Sequence, residues 1–406
     1  MYDLLKGLRI VEGASFIAAP SCCLHLLQLG AEVIRFDMIG GGPDFRRWPL
    51  SEGGASFYWE GLNKGKKSVA IDLSRPQGRE LAQRIATAPG ENAGIFVTNY
   101  PVEGFLSHAR LAALRPDMIT VRVMGWPDGT TAVDYTINSA IGIPTMTGPA
   151  DETEPVNHVL PAWDLLTGAS AAYALLAAER HRRITGQGQE VRLPLGDIAM
   201  AAIGHLGQIG EVTVSGADRP RMGNELFGAF GRDFLTRDGQ RVMIVAISQR
   251  QWSGLLKALG LTEAVAAIEQ ELGVTFAHDE GVRFEHRRRL FPLVEAATAQ
   301  RPLAELAQAF DAHDVCWGPY RTVQEALALD PRLSTRNPVF AEVDHASGHR
   351  YLTPGAAASF MGSERRPPTR APRLGEHTDA VLAEVLRLSS GEIARLHDQG
   401  LVAGAS

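Results

Sequence analysis

Residues 8–36, LRIVEGASFIAAPSCCLHLLQLGAEVIRF, decide the fold. The apolar run at residues 8–12 predicts a short buried strand, and residues 20–29 have the apolar spacing of a helix that ends at Gly30. Residues 32–36 then predict a second strand. Because a strand, a helix and a strand at this spacing need a crossover connection, the two strands are expected to lie parallel in one sheet.

The same alternation continues to about residue 123. Further strands are predicted at residues 68–73, 94–98 and 118–123, with helices at residues 77–88 and 107–114 between them. This repetition predicts an α/β fold with a Rossmann-like, open and mostly parallel sheet. Such sheets bind ligands at the carboxyl ends of their strands.

The chain is expected to form two domains, because 406 residues exceed one ordinary hydrophobic core. Residues 163–183 predict one long helix rich in Ala and Leu. Near residue 227 the pattern changes to short strands followed by helices. We predict a discontinuous large Rossmann-like domain at residues 1–224 and 326–406, and a smaller α+β domain at residues 225–325.

Composition argues against several classes of protein. With 40 basic and 46 acidic residues the net charge is −6, whereas nucleic-acid binding needs a basic face. The N-terminal segment lacks the apolar core of a signal peptide, and the most apolar helical stretch, residues 169–178, is too short to cross a bilayer. Cys22, Cys23 and Cys316 lack zinc-ligand spacing. A cytoplasmic protein with no metal, no membrane and no nucleic-acid partner is expected.

The sequence motifs of nucleotide-binding proteins and serine hydrolases are incomplete or absent. Residues 61–68, GLNKGKKS, are one residue short of a Walker A loop and precede a predicted strand where that loop must follow one. Residues 40–42 are three glycines without dinucleotide-binding spacing, which turn chemistry explains. A Gly-x-Ser-x-Gly elbow does not occur, so a serine hydrolase is not supported.

Residues 158–168, HVLPAWDLLTG, place Asp164 at the start of the long predicted helix. One interpretation is structural, since Asp is favoured at helix N-caps and first turns. Another is chemical, since free N–H groups at a helix N-terminus suit an anion or a developing oxyanion. The two roles can coexist.

Five separated stretches, in order along nearly the whole chain, resemble family III coenzyme A transferases, the group that includes formyl-CoA transferases and acyl-CoA racemases. They are residues 5–36, residues 63–73 (NKGKKSVAIDL), residues 98–100 (TNY), residues 163–168 (WDLLTG) and residues 371–378 (APRLGEHT). The resemblance implies an acyl-CoA substrate, no permanently bound cofactor, and an interlocked homodimer of two-domain subunits.

The resemblance also implies roles for individual residues. Asp164 would be the nucleophile that attacks the thioester carbonyl and forms a mixed anhydride. Gly228 and Gly231 would belong to a mobile glycine loop over the site, or to a plain turn. The residues implied for the coenzyme A site are Ile17, Ala18, Ile71, Asp72, Leu73, Ser74, Arg75, Asn99 and Tyr100.

Two departures from the family pattern narrow the chemistry. Racemases of this family carry a histidine base before an aspartate, and here Val133 precedes Asp134. Valine cannot transfer a proton, so one of the two bases that such a racemase uses is missing here. Asp134 is either a hydrogen-bonding carboxylate near Asp164 or a structural acid. Ile17 occupies the position of the glutamine of formyl and oxalate transferases, which argues against oxalate chemistry.

A subfamily resemblance is carried by residues 36–48, 157–168, 178–185, 218–233 and 317–322. It implies that coenzyme A passes from one carboxyl group of a methylfumarate unit to the other. A separate acid acceptor, a racemase of 2-methylacyl-CoA and a non-catalytic acyl-CoA binder are the alternatives. The free carboxylate needs a cation, and the candidates, each of which is otherwise a surface or structural residue, are Arg46, Arg47, His205 and Arg221.

Overall fold

A computed structural model describes residues 1–405 of the chain. Strands within this range are β1 (Arg9–Gly13), β2 (Glu32–Met38), β3 (Lys67–Ile71), β4 (Ile95–Thr98), β5 (Ile119–Met124), β6 (Glu190–Pro194), β7 (Phe230–Leu235), β8 (Arg241–Ala246), β9 (Cys316–Pro319), β10 (Phe340–Asp344), β11 (Arg350–Pro354) and β12 (Val402–Ala403).

The helices of the same range are α1 (Ala18–Gln28), α2 (Phe57–Leu62), α3 (Pro76–Ala86), α4 (His108–Leu114), α5 (Asp134–Ala140), α6 (Ile143–Met146), α7 (Ala162–Thr185), α8 (Leu195–His205), α9 (Gln208–Ser215), α10 (Gln249–Leu259), α11 (Thr262–Leu272), α12 (Glu280–Glu285), α13 (Arg287–Thr298), α14 (Leu303–Ala312), α15 (Val323–Leu329), α16 (Thr378–Leu386) and α17 (Ser390–Asp398). A 3₁₀ helix covers Pro331–Leu333. None of these helices combines the length and apolar character that a bilayer-spanning segment requires.

The large sheet has the strand order β12-β3-β2-β1-β4-β5-β6. All its pairs are parallel except β12 with β3. The strand order reverses between β1 and β4, because the chain first adds strands on one side of β1 and then crosses to the other. The predicted α/β class with a mostly parallel Rossmann-like sheet is therefore confirmed, while association into an interlocked dimer stays a prediction.

Both faces of this sheet are covered by helices, which explains why its strands are rich in buried apolar residues. One face packs its buried side chains against α1, α5, α7 and α8. The other packs against α3, α4, α16 and α17. The long α7 lies closely against α1, where a Cβ atom at Gly168 would stand 1.9 Å from Ser21 Oγ. This glycine fixes the distance between α7 and the segment that follows β1.

Two compact units emerge from the fold. The first comprises residues 1–141, 158–211 and the chain from Asp330 onward, and the second comprises residues 142–157 and 212–329. The second unit has its own core around the antiparallel sheet β7-β8-β9. It includes residues 142–157, which the sequence analysis assigned to the large domain. The predicted domain limits stay a prediction.

Several short elements have no counterpart in the sequence analysis. In the second unit, α12 and α13 are separated by a break at His286. Near the C-terminus, α16 is followed by α17, whose N-terminus is held by a capping box between Ser389 and Glu392. Strand β12 then closes the sheet edge beside β3. These short elements depend on caps and on pairing partners far along the chain.

Candidate active site

A cavity of about 1050 Å³ opens where the strand order reverses. Ser15 and Ile17, which follow β1, line it on one side, and Asn99 and Tyr100, which follow β4, line it on the other. Open α/β sheets bind ligands at this kind of switch point. The topology therefore identifies this cavity as the candidate active site.

The segment after β1 is held in a defined shape. The Asn99 side chain donates to the carbonyl oxygen of Ser15 at 2.9 Å and accepts the Ser15 N–H at 3.2 Å. Phe16 has φ +70°, a left-handed conformation that is costly for a bulky residue. Its N–H donates to Asp44 Oδ2 at 3.1 Å. These bonds hold the backbone that precedes the N-terminus of α1.

Asp44 belongs to a buried ionic cluster under this segment. Arg35 pairs with Asp37 at 2.8 Å, with Asp44 at 2.9 Å and with Glu12 at 3.0 Å. Lys66 pairs with the other oxygen of Glu12 at 2.6 Å. Burial raises the pKa of Asp37, against the lowering effect of Arg35. Breaking such a buried network by removing one partner is strongly destabilising, so the cluster fixes the cavity wall.

The carboxyl group of Asp164 lines the cavity from the first turn of α7. Because Gly168 holds α7 against α1, Asp164 reaches the same cavity as Ile17 and Ala18 at the N-terminus of α1. The first free N–H groups of a helix suit a developing oxyanion. Carboxylate and helix N-terminus therefore face one space.

The N-terminus of α7 is capped by a carboxylate from another helix. Asp134, the first residue of α5 and almost fully buried, accepts the N–H of Trp163 at 2.7 Å and that of Asp164 at 3.1 Å. Its other oxygen lies 2.5 Å from His158 Nε2. Capping of α7 thus falls to Asp134, and the carboxyl group of Asp164 remains directed to the cavity. The catalytic roles of both residues stay predictions.

The pKa of Asp164 is raised to about 6. Burial is the largest cause, because it disfavours the ionised form, and the negative charge of Asp134 adds to it. Arg47 acts in the opposite direction. A carboxylate with this pKa is ionised at neutral pH and more basic than an ordinary aspartate, which favours nucleophilic attack.

Arg47 supplies positive charge to the cavity. Its guanidinium lies 5.3 Å from the ring centre of Phe16 and 5.2 Å from that of Tyr58, and all three side chains line the cavity. Within residues 1–405 it forms no ion pair, so its charge can act on an incoming anion. The Tyr58 hydroxyl is buried without a hydrogen-bond partner in the described chain. Of these two groups, the Arg47 guanidinium suits a substrate carboxylate.

The model of CoA-transferase family III matches residues 5–378. The chain belongs to this family. It is 52% identical, over 100% of its own length and 99% of the relative's, to 2-methylfumaryl-CoA isomerase of Chloroflexus aurantiacus. It is 28% identical to succinyl-CoA:glutarate CoA-transferase of Mus musculus, covering 98% of this chain and 90% of that one.

The solved structures agree with this family membership. A CaiB/BaiF family protein from Brucella suis superposes with a TM-score of 0.76 at 26% identity, covering 95% of this chain and 100% of that one. Recognition of family III from the five sequence stretches is therefore confirmed.

Of the other residues that the family resemblance assigns to coenzyme A, some line a cavity and others do not. Leu73 lines a second cavity of about 280 Å³, which shares Tyr100 with the large one. Ile71, Asp72, Ser74 and Arg75 line neither cavity. In the second unit Gly228 has φ +82°, whereas Gly231 lies within β7. The glycine-loop role of both stays a prediction.

The four candidate cations for the free carboxylate also differ in their position relative to the large cavity. Only Arg47 among them lines the large cavity, and Arg46 and His205 are exposed outside it. Arg221 donates to the carbonyl oxygens of Thr145 at 2.8 Å and Glu154 at 2.6 Å, so it fastens a backbone segment of the second unit. That use of its guanidinium favours a structural role.

Several lining residues of this family III site escaped the sequence analysis. They are Trp48, Tyr58, Glu103 and Arg192. Trp48 lies in a stretch that carries the subfamily resemblance, but no spacing rule marks the others, because their convergence depends on the sheet topology. No group of three or more His, Cys, Asp or Glu side chains suited to a metal ion is present in residues 1–405.

Proposed function

We propose that this protein moves coenzyme A between the C1 and C4 carboxyl groups of 2-methylfumaryl-CoA. The observation that carries the proposal is that the Asp164 carboxyl group and the Arg47 guanidinium line one cavity. One group serves the reacting thioester and the other the free carboxylate of the same molecule. The 52% identity to 2-methylfumaryl-CoA isomerase supports this choice of substrate.

The reaction proceeds through covalent intermediates on Asp164. Its carboxylate attacks the C1 thioester carbonyl and expels the coenzyme A thiolate, which leaves a mixed anhydride. The thiolate attacks the Asp164 carbonyl of that anhydride, forming an enzyme thioester and releasing the dicarboxylate. The C4 carboxylate attacks this thioester and frees the thiolate, which then attacks the C4 acyl carbon and regenerates Asp164. Each step exchanges acyl groups of similar reactivity.

Intramolecular transfer requires that the released dicarboxylate stays bound while it turns. Arg47 provides a charged donor for this acid. Donors at the N-terminus of α1 face the developing oxyanion. Retaining the acid converts a bimolecular step into one within a complex, with effective molarities that reach about 10⁵ M or more.

The deciding experiment supplies 2-methylfumaryl-CoA as the single substrate and follows the C4 thioester by chromatography and mass spectrometry. Conversion without added acid is expected, because donor and acceptor are one molecule. Labelled free 2-methylfumarate added at the start should stay out of the product. Product formation only when an acid is added would support an intermolecular CoA-transferase instead, and proton exchange at the α-carbon of a 2-methylacyl-CoA would support a racemase.

Arg47→Ala is expected to lower kcat/KM for 2-methylfumaryl-CoA by about 100-fold, since it removes a charge-assisted contact worth about 3 kcal/mol. The neighbouring Arg46→Ala, which removes the same charge outside the cavity, is the matched control and should stay within about threefold of the wild type. The Kd of free coenzyme A should not change in either variant. Equal losses in both variants would exclude Arg47 as the carboxylate ligand.

We also propose that the enzyme works as an interlocked homodimer in the cytoplasm, as the family resemblance implies. Large apolar side chains are exposed on and beside α7 and α8, including Tyr173 (66% exposed), Leu206 (74%) and Val159 (95%). A partner surface would cover such residues. Light scattering of the purified protein tests the subunit number.

A further inference from the structure

One buried guanidinium, that of Arg122 on β5, fastens the loop that follows β4. Its side chain is fully buried. Nη1 donates to the carbonyl oxygens of Tyr100 at 2.7 Å and Pro101 at 2.8 Å, and Nη2 donates to that of Leu106 at 3.1 Å. A planar, rigid group with donors to three carbonyl oxygens fixes both ends of residues 100–106.

These residues form the wall that the two cavities share. Tyr100, Pro101 and Glu103 line both the cavity of about 1050 Å³ and that of about 280 Å³. Residues 100–106 lie between β4 and α4, so no strand or helix ladder holds their backbone within the described chain. Their shape depends on side chains that bind the carbonyl oxygens, and Arg122 binds three of them.

The charge of Arg122 is balanced by a chain of ionic contacts that leads back to the cavity. Its Nε donates to Glu190 Oε1 at 2.9 Å, and the other oxygen of Glu190 accepts from Arg192 Nε at 2.8 Å. Arg192 itself lines the large cavity. A buried arginine needs such a counter-charge. Glu190 therefore connects Arg122, which holds the loop, to Arg192, which lines the cavity.

We propose that Arg122 is a positioning residue for the binding of coenzyme A. It sets the affinity for coenzyme A by fixing residues 100–106, and it does not itself line the cavity. The inference rests on the proposed function in treating the shared wall as a coenzyme A surface, but it does not depend on which acyl group the enzyme transfers.

Arg182 on α7 provides a matched control. It is also buried, and its Nη1 donates to the carbonyl oxygens of Ala93 at 2.8 Å, Gly94 at 3.2 Å and Asp117 at 3.2 Å. These residues precede β4 and β5, so Arg182 performs the same fastening at the amino ends of the strands, away from the cavity. A purely structural arginine should behave like this one.

The experiment compares Arg122→Gln with Arg182→Gln in the full-length protein, below the melting temperature of both variants. Calorimetry with free coenzyme A gives Kd, and turnover of 2-methylfumaryl-CoA gives KM and kcat. Arg122→Gln should raise Kd and KM at least about tenfold and leave kcat within about threefold, because the loop that binds coenzyme A loses its shape whereas Asp164 keeps its position. Arg182→Gln should lower the melting temperature and leave Kd unchanged, and Arg122→Lys should restore part of the affinity.

An unchanged Kd in Arg122→Gln, or an equal rise in Arg182→Gln, would overturn the inference. If Arg122→Gln fails to fold, Glu190→Gln replaces it, because this substitution removes the counter-charge and keeps the shape. Its Kd should rise by a smaller factor, and no rise would also count against the inference. A wild-type protein that binds coenzyme A but does not isomerise 2-methylfumaryl-CoA would contradict the proposed function alone.

Discussion

Asp164→Asn and Asp164→Ala are expected to lower turnover of 2-methylfumaryl-CoA by at least about 10⁴-fold, the scale seen when a covalent nucleophile is removed. An amide or methyl side chain cannot form the anhydride, so neither substitution retains a route to the C4 thioester. Steady-state assays of both variants, with the Kd of free coenzyme A as the check on folding, measure the loss.

A trapping experiment separates the covalent role of Asp164 from a positioning role. Hydroxylamine added during turnover attacks either the anhydride or the enzyme thioester and leaves a hydroxamate on the reacting side chain. Peptide mass spectrometry should locate this hydroxamate on Asp164 in the wild type and on no residue of Asp164→Ala. Asp134 is the contrast, because its carboxylate caps α7; the Asp134→Asn variant should therefore still give a hydroxamate on Asp164. A hydroxamate on Asp134, or full activity of Asp164→Ala, would contradict the mechanism.

The sequence predicts the central sheet well because its strands are buried on both faces and carry strong local signals. Strands β1 and β2 with α1 between them lie within a few residues of the predicted elements. Strand β12 has two residues, and its pairing with β3 spans most of the chain. Local periodicity carries no information about such a contact, so the sheet edge could not be predicted.

The candidate site shows the same division. The family resemblance of residues 163–168 implies Asp164, and that of residues 98–100 implies Asn99. Arg46 and Arg47 are neighbours in sequence and look equivalent, yet only Arg47 lines the cavity. Arg221 is a candidate because of its position in a subfamily stretch, but its guanidinium donates hydrogen bonds to backbone carbonyl oxygens. Which cation faces a cavity depends on packing that a spacing rule does not contain.

The contribution of Arg122 illustrates why such positions are missed. A lone arginine in an apolar strand gives no motif, and its three carbonyl partners lie upstream in the loop after β4. Its burial is tolerable only because the folded chain brings Glu190 to its Nε atom. The reason for the residue is thus visible only after the sheet has assembled.

Asp164→Asn is expected to make the folded protein more stable at neutral pH, although it abolishes activity. The pKa of Asp164 rises from 3.8 to about 6 on folding. A shift of about 2 units costs the ionised carboxylate about 3 kcal/mol, and a neutral amide of the same shape avoids that cost. Urea unfolding at pH 7.5 should therefore give a free energy of unfolding about 2 to 3 kcal/mol higher for the variant.

The stability difference between the wild type and Asp164→Asn should change with pH in a defined direction. Because the folded pKa of Asp164 is raised, the wild type loses stability relative to the variant as pH rises from about 4 through 6. The difference should vanish below about pH 3, where the carboxyl group is protonated in both states, and reach a plateau above about pH 7. Asp197→Asn, which removes an exposed acid from the first turn of α8, is the control and should show no such gain. A variant that is equally or less stable than the wild type at pH 7.5 would mean that burial does not raise the pKa of Asp164. The reactivity of the carboxylate would then need another explanation.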